Sequence, residues 1–189
     1  MRSICKVILS SILLINIFGV HAMAEDTFSA HVDDKGNISL PKNFRNDMAH
    51  LGSWFVPEGG ASGFHDVYTE KASIIHYKKT GKFPDGTTIV KELRASHAGT
   101  YSTGKNVSYA TSELKQWFVM IKDSKGRFAN NPLWGDGWGW ALYKPDIKQG
   151  SQFKNVATNY KTDCIGCHIP AKQNDWIYTE AYPSLNIEK

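Results

Sequence analysis

Five residues near the C-terminus, Cys164-Ile165-Gly166-Cys167-His168, constrain this chain more than any other segment. Two thiols at this spacing can each add to a vinyl group of haem, and the adjacent histidine then reaches the iron from the proximal side. The pattern is the mark of c-type haem attachment. Three rivals use the same residues. A structural zinc site needs about four ligands. No second Cys-x-x-Cys exists, so His65, His76 or His97 would have to complete it. A thioredoxin-like redox pair belongs after a strand, opening a helix in a βαβ unit, whereas this motif follows a polar run and lies just before Pro170. A plain disulfide leaves the histidine accidental. Covalent haem accounts for all three side chains, with Cys164 and Cys167 as tethers and His168 as the metal ligand. One motif implies one haem.

The opening of the chain agrees with that chemistry. Met1, Arg2 and Lys6 precede an apolar run from Val7 to Phe18, and Ala22-Met23-Ala24 follows, with acidic residues after it. A basic start, a short apolar core and an Ala-x-Ala end read as a secretory signal peptide over residues 1–24, cleaved near Ala24. The apolar run is about twelve residues, too few to span a bilayer comfortably as a helix. Export to the periplasm is therefore expected, where c-type haem is attached, with no membrane span after cleavage. Residues 25–189 are the length of one domain. Of the three cysteines, Cys5 leaves with the leader. Losing Arg2 and Lys6 takes the basic excess from four to two, and the lysines are scattered, so no nucleic-acid partner is expected.

Local patterns place the elements. Leu40-Pro41-Lys42-Asn43 reads as the start of a helix reaching Phe55, and Pro57–Gly63 as a loop. Phe64–Tyr68 offers a strand, Thr69 a cap for a helix from Glu70 to Lys79, and Gly81 its stop. Phe83-Pro84-Asp85-Gly86 is a turn feeding a β-rich Thr87–Leu93. Gly99–Gly104 reads as a loop, Trp117–Ile121 as a strand, Asp123–Gly126 as a turn, and Trp134–Gly139 as a tight segment entering a strand through Tyr143. The last fifty residues hold the haem motif and a short helical tail. The sum is a single α+β domain, a small antiparallel β-sheet packed with short helices.

Function turns on the second axial position, because six-coordinate iron suits electron transfer and an open position allows chemistry on small molecules. Met48, Met120, His50, His65, His76 and His97 are candidates, and none has a spacing that points to the iron. Lys91 is a different case. Strand alternation puts Ile89, Lys91 and Leu93 on one face and Val90, Glu92 and Arg94 on the other. A lysine between apolar neighbours either turns inward, where its amine can meet a cofactor at a desolvation cost, or snorkels out of the sheet. Trp134, Trp138 and Trp140 alternate with glycines downstream, which suits either a haem edge or ordinary core packing.

These residues resemble the cytochrome P-460 and cytochrome c′-beta family. The likeness runs from Leu40-Pro41-Lys42-Asn43-Phe44-Arg45 to Tyr182-Pro183-Ser184-Leu185. It includes Val67-Tyr68, Lys78-Lys79-Thr80-Gly81, Phe83-Pro84-Asp85-Gly86-Thr87-Thr88-Ile89-Val90-Lys91-Glu92-Leu93, Lys122-Asp123-Ser124 and Arg127-Phe128-Ala129-Asn130. The resemblance implies a small antiparallel sheet with helices, usually a homodimer, around five-coordinate haem with His168 proximal. In the P-460 branch a lysine bonds to the macrocycle, and that lysine maps onto Lys91. P-460 members oxidise hydroxylamine and bind nitric oxide, whereas the c′-beta branch lacks the cross-link and mainly binds nitric oxide. A small nitrogen-containing ligand and a redox partner, a cytochrome or other electron acceptor, are thus implied. The chain departs from hydroxylamine-oxidising relatives at two points. His65 stands where they carry arginine, and the Trp117–Ile121 strand lacks their acidic residue, leaving Glu92, His65 or Glu113 to move protons. Catalytic roles are accordingly expected for Lys91 and His65.

Overall fold

Alternating apolar residues in Thr87–Leu93 and Trp117–Ile121 become the two central strands of one antiparallel sheet. The computed structural model describes residues 28–146 and 152–186; the expected leader, with Cys5 and the cleavage position, lies outside them. The strands are β1 (Ala49–Val56), β2 (Gly63–Thr69), β3 (Thr88–Tyr101), β4 (Gly104–Lys122), β5 (Trp134–Gly135), β6 (Trp138–Asp146) and β7 (Gln152–Asn155). They pair in the order β1-β2-β3-β4-β6-β5, with β7 against β6, and every pairing is antiparallel. Four α-helices accompany them: α1 (Phe44–Asp47), α2 (Lys71–Thr80), α3 (Tyr160–Asp163) and α4 (Ile165–His168). Turns of 3-10 helix at Ile169–Asn174, Thr179–Ala181 and Pro183–Leu185 finish the tail. The architecture is the single-domain α+β fold expected from the sequence. Among the described residues no helix is long and apolar enough to cross a membrane.

Three local expectations are corrected. The helix begun after Pro41 lasts only one turn, and the chain then enters β1, because strand pairing of Ala49–Val56 with β2 overrides the helical start. Thr69 does not cap α2. Its hydroxyl donates to the Thr88 carbonyl at 2.7 Å, and Glu70 occupies the cap position, its carboxylate accepting from the Ser73 hydroxyl at 3.2 Å but from no amide of the helix. Glu70 instead accepts from the Thr88 amide at 3.0 Å, tying α2 to β3. Gly99–Gly104 is not an open loop. β3 runs to Tyr101 and β4 starts at Gly104, so Ser102 and Thr103 make a two-residue hairpin tip on a long two-stranded arm. The expected stop at Gly81 is present, in left-handed conformation with φ 72°.

The sheet has a core on each face. On one, Val90 and Val119 pack with Phe44, Trp117, Ile121 and Trp134 beneath the N-terminal segment. On the other, Val67, Ile89, Met120, Trp138 and Trp140 meet the C-terminal tail through Tyr160, Trp176, Ile177, Tyr182 and Leu185. Each such side chain contributes roughly 1.5–3 kcal/mol when buried, so the tail is bound by apolar packing along its length. Contact is closest at Gly52 of β1, where an added Cβ would lie 2.0 Å from the Ala181 carbonyl oxygen. Gly52→Ala is therefore expected to push the tail off β1 and to destabilise the fold by about 1–3 kcal/mol. Thermal or urea unfolding checks it, and wild-type stability would show that the tail adjusts freely.

Candidate functional site

The segment bearing the two cysteines is built by local capping. Asn159 Oδ1 accepts from the Lys161 amide at 2.9 Å to start α3. The Asp163 carboxylate reaches back to the Thr158 amide at 2.7 Å and the Asn159 amide at 3.1 Å. The turn then breaks at Cys164, and α4 carries Ile165 to His168. Tyr178 donates its hydroxyl to the Cys167 carbonyl, pinning α4 to the tail. Both cysteines are free thiols. Burial, with the Asp163 carboxylate beside it, pushes the Cys164 thiol up to about 12. A redox-active thiol is favoured by the opposite shift.

His168 Nδ1 lies 2.7 Å from the Trp176 carbonyl oxygen. A carbonyl only accepts, so Nδ1 carries the hydrogen and Nε2 keeps the lone pair of the neutral ring. This orienting contact is typical of metal-ligating histidines. Burial lowers the His168 pKa, favouring that neutral form. The Trp140 ring meets the imidazole edge-on, with centroids 4.9 Å apart.

Cys164, Cys167 and His168 line one wall of a cavity of about 700 Å³ between the tail and the sheet. Cofactor-sized ligands occupy cavities of roughly 300–1,000 Å³. The opposite wall is the sheet face that carries Lys91. Register aligns Val67, Lys91, Phe118 and Leu142 across four strands, flanked by the row His65, Leu93 and Gln116 and the row Ile89, Met120 and Trp140. Lys91 turns inward, as one of the two sequence readings required, and does not snorkel out. Its Nζ lies 4.0 Å from the Phe118 ring centroid and 5.8 Å from that of Trp54. The side chain borders the void, yet protein encloses it closely enough for burial to lower its amine to about 8.

His65 lines the same cavity. It stacks on Trp54 at 4.9 Å, and its Nε2 donates to the Ala61 carbonyl at 2.8 Å. Nδ1 therefore bears the lone pair, buried and without a partner. Burial lowers the His65 pKa, and the nearby Lys91 and Lys115 charges push the same way.

The other candidates scatter. Met48 packs in the core of the opposite face, His50 bonds Ser53 and faces Asp66, and His76 and His97 are exposed on α2 and on the β3–β4 arm. Only Met120 and His65, of the six possible sixth ligands, border the cavity. Neither Glu92 nor Glu113 reaches it: Glu92 is buried beneath the other face, and Glu113 is exposed. The tryptophan block divides. Trp140 borders the cavity, Trp138 lies in the core behind it, and Trp134 belongs to the opposite core, where its ring packs 2.7 Å from the position a Cβ on Gly139 would take. Trp54, Gln116 and Tyr178 line the cavity without having been singled out from sequence. Among the described residues, no three His, Cys, Asp or Glu side chains gather as a metal site of their own.

Sheet, tail and cavity together define an α+β protein built around a cofactor-sized chamber. Residues 41–179 match the family model of cytochrome P460, and the chain belongs to that family. Membership carries with it a haem cofactor and an association with the redox chemistry of nitrogen compounds. No match was found among curated proteins.

The site yields a pH dependence. The folded-state pKa of His65 is below its ordinary 6.5, so between the two values the unfolded chain binds the extra proton. His65 thus contributes stability above pH 6.5 that is lost as pH falls through the folded value. In His65→Gln, which keeps a donor for Ala61 and cannot titrate, the loss of stability below pH 6.5 should be shallower. Denaturant unfolding at stepped pH measures this, and parallel curves would assign the loss to other groups.

Proposed function

We propose that the chain is a periplasmic mono-haem c-type cytochrome that oxidises small nitrogen species of the hydroxylamine class and passes the electrons to a cytochrome or other acceptor. One observation carries the reading: Cys164, Cys167, His168, Lys91 and His65, drawn from three regions of the sequence, border a single cavity. The residues fit the cofactor of the family. Two free thiols precede a histidine whose Nε2 lone pair is available, and the wall opposite is largely apolar and aromatic. When bound, the haem supplies the iron that takes electrons from the substrate.

The protein's own groups do the rest. Cys164 and Cys167 tether the macrocycle, and His168 Nε2 ligates the iron. Lys91, whose amine is partly neutral near pH 8, faces the macrocycle as the residue that bonds to it. Phe118, Leu93 and Trp54 exclude water. His65 is the uncharged base on the sheet wall, and its Nδ1 takes a proton released by the substrate. The two-stranded β3–β4 arm, with Tyr101 and Tyr109 exposed, offers a surface for a second copy, since an isolated hairpin is marginal in water.

Nitric-oxide binding without turnover is the second reading. It is favoured by the cavity-facing row of β4, where Gln116, Phe118 and Met120 present no carboxylate.

Expression with the c-haem maturation system, followed by denaturation, is expected to leave one haem mass on the chain and to lose it in Cys164→Ala/Cys167→Ala. Pigment that washes out in acid acetone would end the haem c reading. A red-shifted ferrous Soret band, abolished in Lys91→Ala, is expected from the cross-link, whereas an ordinary c-type band moves the protein to the c′-beta side. Steady turnover of hydroxylamine with an electron acceptor, reduced about 100-fold or more in His65→Leu as for loss of a general base, separates the enzyme from the binder. Ligand binding with no turnover selects the second reading.

A further inference from the structure

The Trp176 carbonyl that accepts from His168 belongs to an unusual turn. Asp175 and Trp176 are consecutive and both left-handed, with φ of 58° and 68°. Aspartate tolerates this region, but a bulky residue there is an outlier. Such a conformation persists only where the surroundings over-determine it. Here they do. Lys122 Nζ, at the end of β4, is 2.7 Å from Asp175 Oδ2 and donates to Oδ1 at 3.0 Å. Trp138 Nε1 donates to the Asp175 carbonyl at 3.0 Å. The Trp176 amide closes the turn on the Ala171 carbonyl at 3.0 Å.

The anchor is itself rigid. Lys122 and Trp138 are register partners across β4 and β6, and Trp138 is fully buried. The Lys122 ammonium lies 4.8 Å from the Trp138 ring centroid, and the lysine side chain is only 11% exposed. At Gly137 a Cβ would come within 3.1 Å of that ammonium, so the turn between β5 and β6 leaves it room. A continuous set of contacts therefore runs from the sheet through Asp175 to the Trp176 carbonyl and on to His168 Nδ1.

We propose that Lys122, Asp175 and Trp138 are positioning residues that hold the Trp176 carbonyl against His168 Nδ1 and thereby set how strongly Nε2 donates to the haem iron. The inference rests on the haem reading of the site. A fixed acceptor on Nδ1–H raises the basicity of a ligating imidazole and favours the more highly charged metal. Loosening the turn weakens that bond and favours the reduced state.

The test uses the haem-loaded wild type and the variants Lys122→Met, Asp175→Asn and Lys122→Arg, with circular dichroism as a control for fold. Asparagine retains tolerance of the left-handed region while losing the charge. In Lys122→Met and Asp175→Asn the balance between oxidised and reduced protein should shift about tenfold toward the reduced form, about 59 mV upward for a one-electron couple. The ferrous iron–histidine stretching frequency should fall with it. Lys122→Arg should restore both. Wild-type potential and frequency in both folded variants overturn the proposal, as does loss of fold in both, which assigns a purely structural role. If Lys122→Met alone unfolds, Asp175→Asn decides. A wild-type chain that acquires no haem sinks the haem reading separately, because haem-free protein still reports the contact. The imidazole nitrogen signals of His168 should then show the Nδ1–H form in wild type and lose it in Asp175→Asn, and an unchanged spectrum overturns the positioning role.

Discussion

The structure depends on the register of β3. Lys91 and Glu92 are adjacent and necessarily face opposite sides of the sheet, so slipping the strand by one residue would exchange them. A carboxylate would then face the cavity, and a lysine would enter a site built for an anion. That site is specific. Glu92 accepts from Arg94 Nε at 2.6 Å, from Trp117 Nε1 at 2.8 Å and from Arg45 Nε at 3.2 Å, with a further ion-pair contact to Arg45 Nη2. Burial alone would raise this carboxyl, but hydrogen bonds from Arg45, Arg94 and Trp117 outweigh it and hold the pKa below its usual value. A lysine could accept none of these bonds. The polar clamp on the closed face thus dictates what the open face presents.

The two faces divide the labour. The closed face is conventional core, fastened by aromatic packing of Phe44 against Tyr68 and Trp117. The open face cannot close on itself, because Lys91, His65 and Gln116 interrupt its apolar surface. It is completed from outside by the C-terminal tail, whose short helices have little stability of their own and take their shape from Trp138, Trp140 and β1. Cavity and tail are therefore interdependent. A large void in a domain this size forfeits packing, and the aromatic core of Trp140, Tyr160, Trp176 and Tyr182 between tail and sheet offsets that loss.

Much of this was legible in residue order, and what was missed shares a cause. The five-residue cysteine–histidine motif, the alternation around Lys91 and the Gly81 stop are local, so reading them needed only neighbours. The segment Ala49–Val56 reads as helix because the Pro41 start signal is local, whereas the force that makes it a strand is pairing with β2. The β3–β4 arm reads as broken at Gly99 because glycine marks a turn in isolation, and only the partner strand reveals that pairing continues past it. Trp176 left no mark at all: its contribution is a backbone carbonyl, which any residue supplies. The tryptophan block could not be resolved from spacing, since Trp134 and Trp140 differ by the face on which they emerge after the Asp136-Gly137 turn.

The sheet wall makes His65 consequential. With Glu92 turned away and Glu113 in solvent, the titratable groups that the strands present to the cavity are His65, Lys91 and Lys144, while the tail adds the carboxylates of Asp163 and Glu180. A lysine with an amine near 8 is mostly charged at neutral pH, so on the proposed function the imidazole is the acceptor on the β2–β3 part of the wall. Burial and the neighbouring ammonium groups both favour its neutral form. Stacking on Trp54 and the bond to Ala61 immobilise the ring, so Nε2 is committed as donor and only Nδ1 is left to accept. A histidine held this way differs in kind from the arginine that the family resemblance implies at this position, because arginine is always cationic and cannot take up a proton. On the proposed function, the sheet wall thus sets one neutral ring on the scaffold of the family where the resemblance implies a cation.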